Sequence, residues 1–494
     1  MFSQFSALKA LKNSGPWKRW SHYRTFVREQ FDSKLHDRDS THNDACRLPP
    51  NESVHMAAMW VAELYSPSQI GGLLEGLSRL GWERGRSRDD SIVAWTNNVR
   101  LGRTAGWISL GLVTSSPRRG SERVAKLPSG IQSAAPILMS LTPSITALVM
   151  TFYLDDRASY ALDVPLRASY STQTEEGRGS EWWNVVAHVL FKRNIRLSRT
   201  IHDPYSQRRR SVAACISKIE ESCTDWVRQN LPGVFSSGLH QGLFPTATLM
   251  ITETANPGAE NLQPIRAFDG LSINRDFDAW VSDQWPSARL VLPGIHDNNG
   301  LRLTFACRRG DAFPEAPGYV EPTSNGTIAY RANEMIRELL SRWALSGMLD
   351  GYHELLSRLR DRSAGTRSYR PVQDLKELRS LVRTQLYDME LSAHEITQFT
   401  KDPWYRIHIP SMRPMDSRHR KEADLIESLR NTQHQRAEQV SRESELLKSV
   451  LSLSSDLSQT ITNLRIQWFI VLLTLISIGV AIAALYVSEL ALPK

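Results

Sequence analysis

Two adjacent carboxylates, Asp155 and Asp156, follow the apolar run at residues 145–154. In α/β proteins such a strand end often gathers metal-binding carboxylates. His202-Asp203 and His296-Asp297 each set a base beside an acid. Convergence of Asp155, Asp156, His202 and His296 would give a metal-dependent hydrolase. Each place also has a plainer reading. HDPY and HDNNG are turn-like contexts in which Asp, Asn, Pro and Gly are ordinary turn residues, and Asp155-Asp156 can be a strand returning to solvent. No spacing rule links them.

The familiar catalytic and cofactor signatures are missing. The sequence has no phosphate loop, Gly-rich dinucleotide fingerprint, H-E-x-x-H helix or G-x-S-x-G elbow. Cys46, Cys215, Cys223 and Cys307 are scattered without zinc spacing, which fits reduced thiols packed as small apolar groups. No metal and no cofactor are expected, and whether the chain is an enzyme stays open.

The elements that would carry these residues read as a mixed α/β (α+β) body over residues 55–324. A helix is expected at 65–81, with Ser66 as cap, Pro67 in the first turn, Gln69 completing a capping box and Gly81 as a left-handed stop. Strands are expected at 107–114, 137–141 and 145–154, the last two joined by a turn at Thr142-Pro143-Ser144. The uncharged stretch 131–154 is long enough for a membrane span, but Pro136 and Pro143 break it and its β-branched residues favour a strand. A helix at 211–230 and strands at 246–252, 288–292 and 301–307 complete the body. From 325 to 414 the pattern turns helical, with helices at 328–362, broken near Gly347 to Gly351, and at 372–400.

Residues 468–487 read WFIVLLTLISIGVAIAALYV, twenty positions without a charge. As a helix rising 1.5 Å per residue this is about 30 Å, the thickness of a bilayer core. Trp468 and Tyr486 would sit at the interfaces, and Gly479 and Ala483 form a small-x-x-x-small pair. Upstream, 415–467 reads as a helical stalk. Leu446, Val450, Leu453, Leu457, Thr460 and Leu464 follow a heptad spacing that suits coiled-coil self-association. Arg442, Lys448 and Arg465 before the run point to a cytoplasmic N-terminal portion. Residues 488–494 would be a short tail.

The chain has 494 residues, and 60 Lys and Arg against 52 Asp and Glu give a net charge of +8. Charged and hydrophobic residues, at 23% and 41%, are those of a globular protein and exclude whole-chain disorder. The excess of Arg over Lys suits a bacterial source. Lys9, Lys12, Lys18, Arg19, Arg24 and Arg28 supply six of the eight net charges, in a stretch without acids. Within the arm 1–54, Trp17, Lys18, Arg19, Trp20 and Arg24 suit an amphipathic helix on an anionic membrane surface. Arg208-Arg209-Arg210 is a second basic run, either solvated or phosphate-binding. The nearly neutral body argues against a nucleic-acid partner.

The expectation is therefore a tail-anchored, single-pass protein of a bacterial inner membrane. Its cytoplasmic α/β body would act as an interaction, scaffold or sensing domain on a helical stalk. The bilayer, a second copy through the stalk and a protein partner are its expected contacts. The alternatives are an anchored hydrolase and an oligomeric channel or effector.

Overall fold

The computed structural model describes residues 37–84, 91–116, 123–176, 199–259, 266–271, 273, 279–293, 300–311, 323–364, 386–403, 405–415 and 423–490. In chain order the first elements are α1 (Asp39–Cys46), β1 (Val54–Tyr65), α2 (Ile70–Arg79), α3 (Ile92–Arg100), β2 (Trp107–Ser109) and β3 (Val113–Thr114). Then come β4 (Arg123–Val124), β5 (Ile131–Ser140), β6 (Thr146–Leu154), α4 (Asp156–Ser159), α5 (Asp163–Arg167), β7 (Gln173–Glu176) and β8 (Arg199–His202). The second half holds α6 (Pro204–Asn230), β9 (Pro245–Thr252), β10 (Ala279–Val281), β11 (Arg289–Val291) and β12 (Leu301–Arg308). It closes with α7 (Asn325–Ala364), α8 (Tyr387–Phe399), β13 (Arg413–Pro414) and α9 (Leu425–Leu490).

Eleven described strands form one mixed sheet in the order β13-β10-β11-β12-β9-β1-β6-β5-β3-β4, with β2 paired to β5. The predicted mixed sheet is thus present. Its centre is β1, buried at all 12 positions and antiparallel to β6 on one side and β9 on the other. The sequence VHMAAMWVAELY is rich in helix formers, so local propensity does not announce this strand. Pairing on both edges and burial on both faces decide it. The β5–β6 hairpin turns at the predicted Thr142-Pro143-Ser144, with β5 beginning at Ile131 rather than 137, and the charge-free stretch 131–154 is a strand pair rather than a span.

Register assigns the two faces. Trp60 and Thr151 are partners across β1 and β6, and both donate to Asn333 of α7, from Trp60 Nε1 at 2.9 Å and Thr151 Oγ1 at 2.7 Å. The next pair, Met59 and Phe152, faces the opposite way, and the Phe152 ring meets Trp226 of α6 edge-on at 6.1 Å. The sheet therefore lies between α7 and α6. On the α6 side, α2 begins at Ile70, later than the predicted cap. Ser66 does not cap it; its hydroxyl donates to Asp388 of α8 at 2.6 Å. The predicted stop holds, with Gly81 at φ +68°.

The predicted break near Gly347 and Gly351 is absent, since α7 runs through both without interruption. These glycines serve close packing instead. A Cβ at 347 would lie 2.6 Å from Leu301 Cδ1, and one at 351 would lie 2.6 Å from Leu239 Cγ. Behind α7 lies α9, which starts at an Asp424 carboxylate accepting from Ile426 N at 2.9 Å. Gln433 of α9 donates to Arg342 O of α7 at 2.5 Å and accepts from Tyr405 at 2.6 Å. The face of α9 on this core is Leu425, Leu429, Gln433, Ala437, Val440, Ser444 and Leu447.

Of the predicted seam, Leu446 is 66% exposed beside a buried Leu447. The side chains of Val450, Leu453, Leu457 and Leu464 lie outside the described residues, as do those of Gly479, Ala483 and Tyr486. Trp17, Lys18, Arg19, Trp20 and Arg24 also lie outside them.

The predicted transmembrane anchor is not supported. Among the described residues no helix is long and apolar enough to cross a membrane. The described apolar side chains of the distal α9, Trp468 to Val471 and Leu473, are exposed. An apolar run in a sequence records aversion to water, whereas spanning needs a helix apolar around its whole surface over about 30 Å. The single-pass membrane assignment, cytoplasmic orientation, inner-membrane location and channel alternative rested on that span and fall with it.

Candidate functional site

A cavity of about 1200 Å³ opens between the first turns of α7 and the β5–β6 part of the sheet. Its floor is Ala57, Ala135, Ile137 and Tyr153; its far wall is Trp107, Ser109, Gly111 and Leu112 beside β2. Gly326, Tyr330, Asn333, Glu334 and Arg337 form the near wall. Their spacing of three and four places them on one helical face. The apolar residues that carry α7 on the core, Ile336, Leu339 and Leu340, take the remaining positions.

Arg337 dominates this wall. It is 9% exposed, and its guanidinium carbon lies 4.7 Å from the centre of the Trp107 ring. Among the described residues its Nε has no hydrogen-bond partner, and no described carboxylate forms an ion pair with it. An enclosed cation without a counter-charge is costly. Other buried arginines are held by neighbouring described groups. Arg342 is caged by Phe399 and Tyr405 at 5.2 and 6.0 Å, and Arg208 donates to Ala168 O at 2.9 Å below the Tyr170 ring. The basic run at 208–210 is thus divided, with Arg208 buried and Arg209 and Arg210 exposed.

Two further donors flank Arg337. Asn333 Oδ1 is saturated by Trp60 and Thr151, which fixes the amide and leaves Nδ2 as the group available to the cavity. Burial, reinforced by Tyr330, raises the Tyr153 phenol well above its ordinary range against the opposing Arg337 charge. Tyr153 is therefore a neutral hydroxyl at physiological pH.

The other end of the cavity is internally neutralised. Arg309 Nε pairs with Glu253 at 2.7 Å and its Nη2 donates to Asn325 Oδ1 at 2.8 Å. Asn325 Nδ2 in turn donates to Ser159 at 3.0 Å. Behind Glu253, His55 Nε2 lies 3.2 Å from the carboxylate and 2.8 Å from Ser53 Oγ, and its ring meets Tyr160 at 4.2 Å. Burial, then Arg309, lowers the His55 pKa, with Glu253 and Asp163 opposing. Ser, His and Glu do not form a nucleophilic relay here. Serine and acid address the same nitrogen, while Nδ1 is buried without a partner among the described residues; a relay needs them on opposite nitrogens.

The sequence candidates for hydrolysis do not assemble. Asp155 caps α4, accepting from Ala158 N at 2.7 Å. Asp156 reaches the cavity. His202 is buried at the end of β8, and Asp203 caps α6 by accepting from Ser206 N at 2.9 Å. His296 lies outside the described residues. Among the described residues no group of three or more His, Cys, Asp or Glu could hold a metal ion. Arg337, Asn333, Tyr330 and Trp107 escaped sequence reasoning. The only signal for the first three is a polar and aromatic stripe on α7, which reads equally as a solvated face.

No protein-family model matches the chain, and no curated protein matches its sequence.

Proposed function

We propose that this chain is a binding module for a small anionic molecule, held in the cavity between α7 and the sheet. The observation that carries the reading is the buried Arg337 on the cavity wall, which pairs with no carboxylate among the described residues. An anion there would supply a counter-charge and gain from the low local dielectric. Asn333 Nδ2 and the Tyr153 hydroxyl add neutral donors. The rest of the lining, part apolar and part polar, suits an organic body rather than a bare ion.

Thermal melting of the full chain against matched anionic, neutral and cationic small molecules tests this. Anionic compounds raise the Tm, because a ligand at 100 times its Kd stabilises by about 2.7 kcal/mol, and Arg337→Met abolishes the shift. Stabilisation by neutral or cationic compounds alone overturns the reading.

A further inference from the structure

The cavity is much larger than an inorganic anion, and its walls are ring-bearing. Trp107, Tyr153, Tyr160 and Tyr330 all line it, and three of them present half or more of their surface to solvent, Trp107 at 52%, Tyr160 at 50% and Tyr330 at 71%. Large aromatic faces left open beside a buried cation are the surfaces on which planar rings stack. Gln132, Ser133 and Ser109 add amide and hydroxyl groups that can meet the donors and acceptors on a heterocycle's edge. Exposed Glu334 and Asp156 stand at the rim, where carboxylates can accept from sugar hydroxyls. From Gly326 to Arg337 the lining face of α7 extends about 16 Å, at 1.5 Å per residue. This length accommodates a ring, a sugar and a phosphate in line.

We infer that the anionic ligand is a free nucleotide, its phosphate on Arg337 and Asn333 and its base against the exposed rings of Tyr330 and Trp107. This rests on the anion-binding reading above and narrows it. A fatty acid would need a continuous apolar tunnel, whereas this lining alternates polar and apolar groups. An inorganic anion would leave the aromatic walls without a role. The same base-and-phosphate chemistry occurs along an oligonucleotide, but among the described lining residues only Arg337 is a cation without an ion pair, which suits one phosphate group rather than a run of them.

Isothermal titration of the full chain with ATP, GTP, UMP and NAD, alongside adenosine, pyrophosphate, indole-3-acetate and a single-stranded hexanucleotide, decides the matter. At least one free nucleotide should bind at least tenfold more tightly than adenosine or pyrophosphate. Arg337→Met should weaken it at least tenfold, with partial recovery in Arg337→Lys. Tyr330→Ala changes an exposed side chain and leaves the fold intact, so it provides an independent reading, expected to weaken binding at least fivefold. Melting curves of each variant confirm folding. Binding of no nucleotide, or nucleotide binding indifferent to both Arg337→Met and Tyr330→Ala, overturns the inference. Binding of the hexanucleotide alone overturns it too. Capture of indole-3-acetate through Arg337 without nucleotide binding overturns the nucleotide assignment and leaves the anion-binding reading standing. Binding of no anion at all removes both.

Discussion

The guanidinium of Arg337 rests 4.7 Å from the centre of the Trp107 ring, joining the long helix α7 to the short strand β2 across the mouth of the cavity. The stacking holds a charge that has no acidic partner among the described residues, and it keeps the cation where a ligand can reach it. Trp107→Ala is expected to lower stability by about 1 kcal/mol, the scale of a partly exposed cation–π contact, and to weaken anion binding in parallel. Chemical denaturation and titration of one preparation measure both; unchanged ligand affinity would remove Trp107 from the site.

Asn333 separates structural from binding effects. Asn333→Ala strands Trp60 Nε1 and Thr151 Oγ1, both buried, and should cost about 3 kcal/mol at 1–3 kcal/mol for each unsatisfied group. Asn333→Asp keeps the acceptor and should recover much of that stability. It also places a negative charge one helical turn from Arg337, so anion affinity should fall at least tenfold. Urea denaturation followed by Trp fluorescence, paired with titration, distinguishes the two variants.

Glu63 makes stability depend on pH. Its carboxylate lies on β1, fully buried, and accepts from Leu64 N, Phe235 N, Ser236 N and Ser236 Oγ. Burial outweighs these four bonds and raises its pKa to about 7. The folded chain therefore holds a proton that the unfolded chain releases near 4.5. This contribution is complete below pH 4.5 and is lost as the pH rises through 7, amounting to about 3 kcal/mol. Relative to Glu63→Gln, the natural protein should lose stability across that window; parallel profiles for the two would contradict the assignment.

Two glycines of α2 should respond oppositely to alanine. Space around Gly71 is open, and helix propensity alone should stabilise Gly71→Ala by about 0.5–1 kcal/mol. At Gly76 a Cβ would lie 2.3 Å from the backbone oxygen of Asn230. Gly76→Ala forces α2 away from the end of α6 and should cost about 2 kcal/mol or more. Comparing their Tm values checks whether α2 packs on α6 as described.

Asp155 and Asp203 act as helix caps. Asp155→Ala and Asp203→Ala should each reduce stability by about 1 kcal/mol and leave ligand affinity unchanged. A metal requirement for binding that vanished in Asp155→Ala would restore the carboxylate to the functional site.

Local rules written in the sequence determined much of the sheet's outer half and several helix ends. β-Branched residues and the Thr142-Pro143-Ser144 turn produced the β5–β6 hairpin, Gly81 stopped α2, and the apolar stripe of α7 marked its buried side. These features depend on neighbours within a few residues, so a linear reading finds them. Tertiary structure decided the rest. It turned helix-favouring β1 into the central strand, because strands on both edges satisfied its backbone and burial rewarded its side chains. It converted Gly347 and Gly351 from apparent breaks into contact points, and it gave the conspicuous Asp155 and Asp203 to capping. Among the described residues no helix is long and apolar enough to cross a membrane, an outcome that the uncharged run at 468–487 did not announce. The candidate site lies furthest from sequence. Trp107 and Arg337 are 230 positions apart, and only the packing of α7 across the sheet brings an unremarkable arginine and an edge tryptophan to the wall of one cavity.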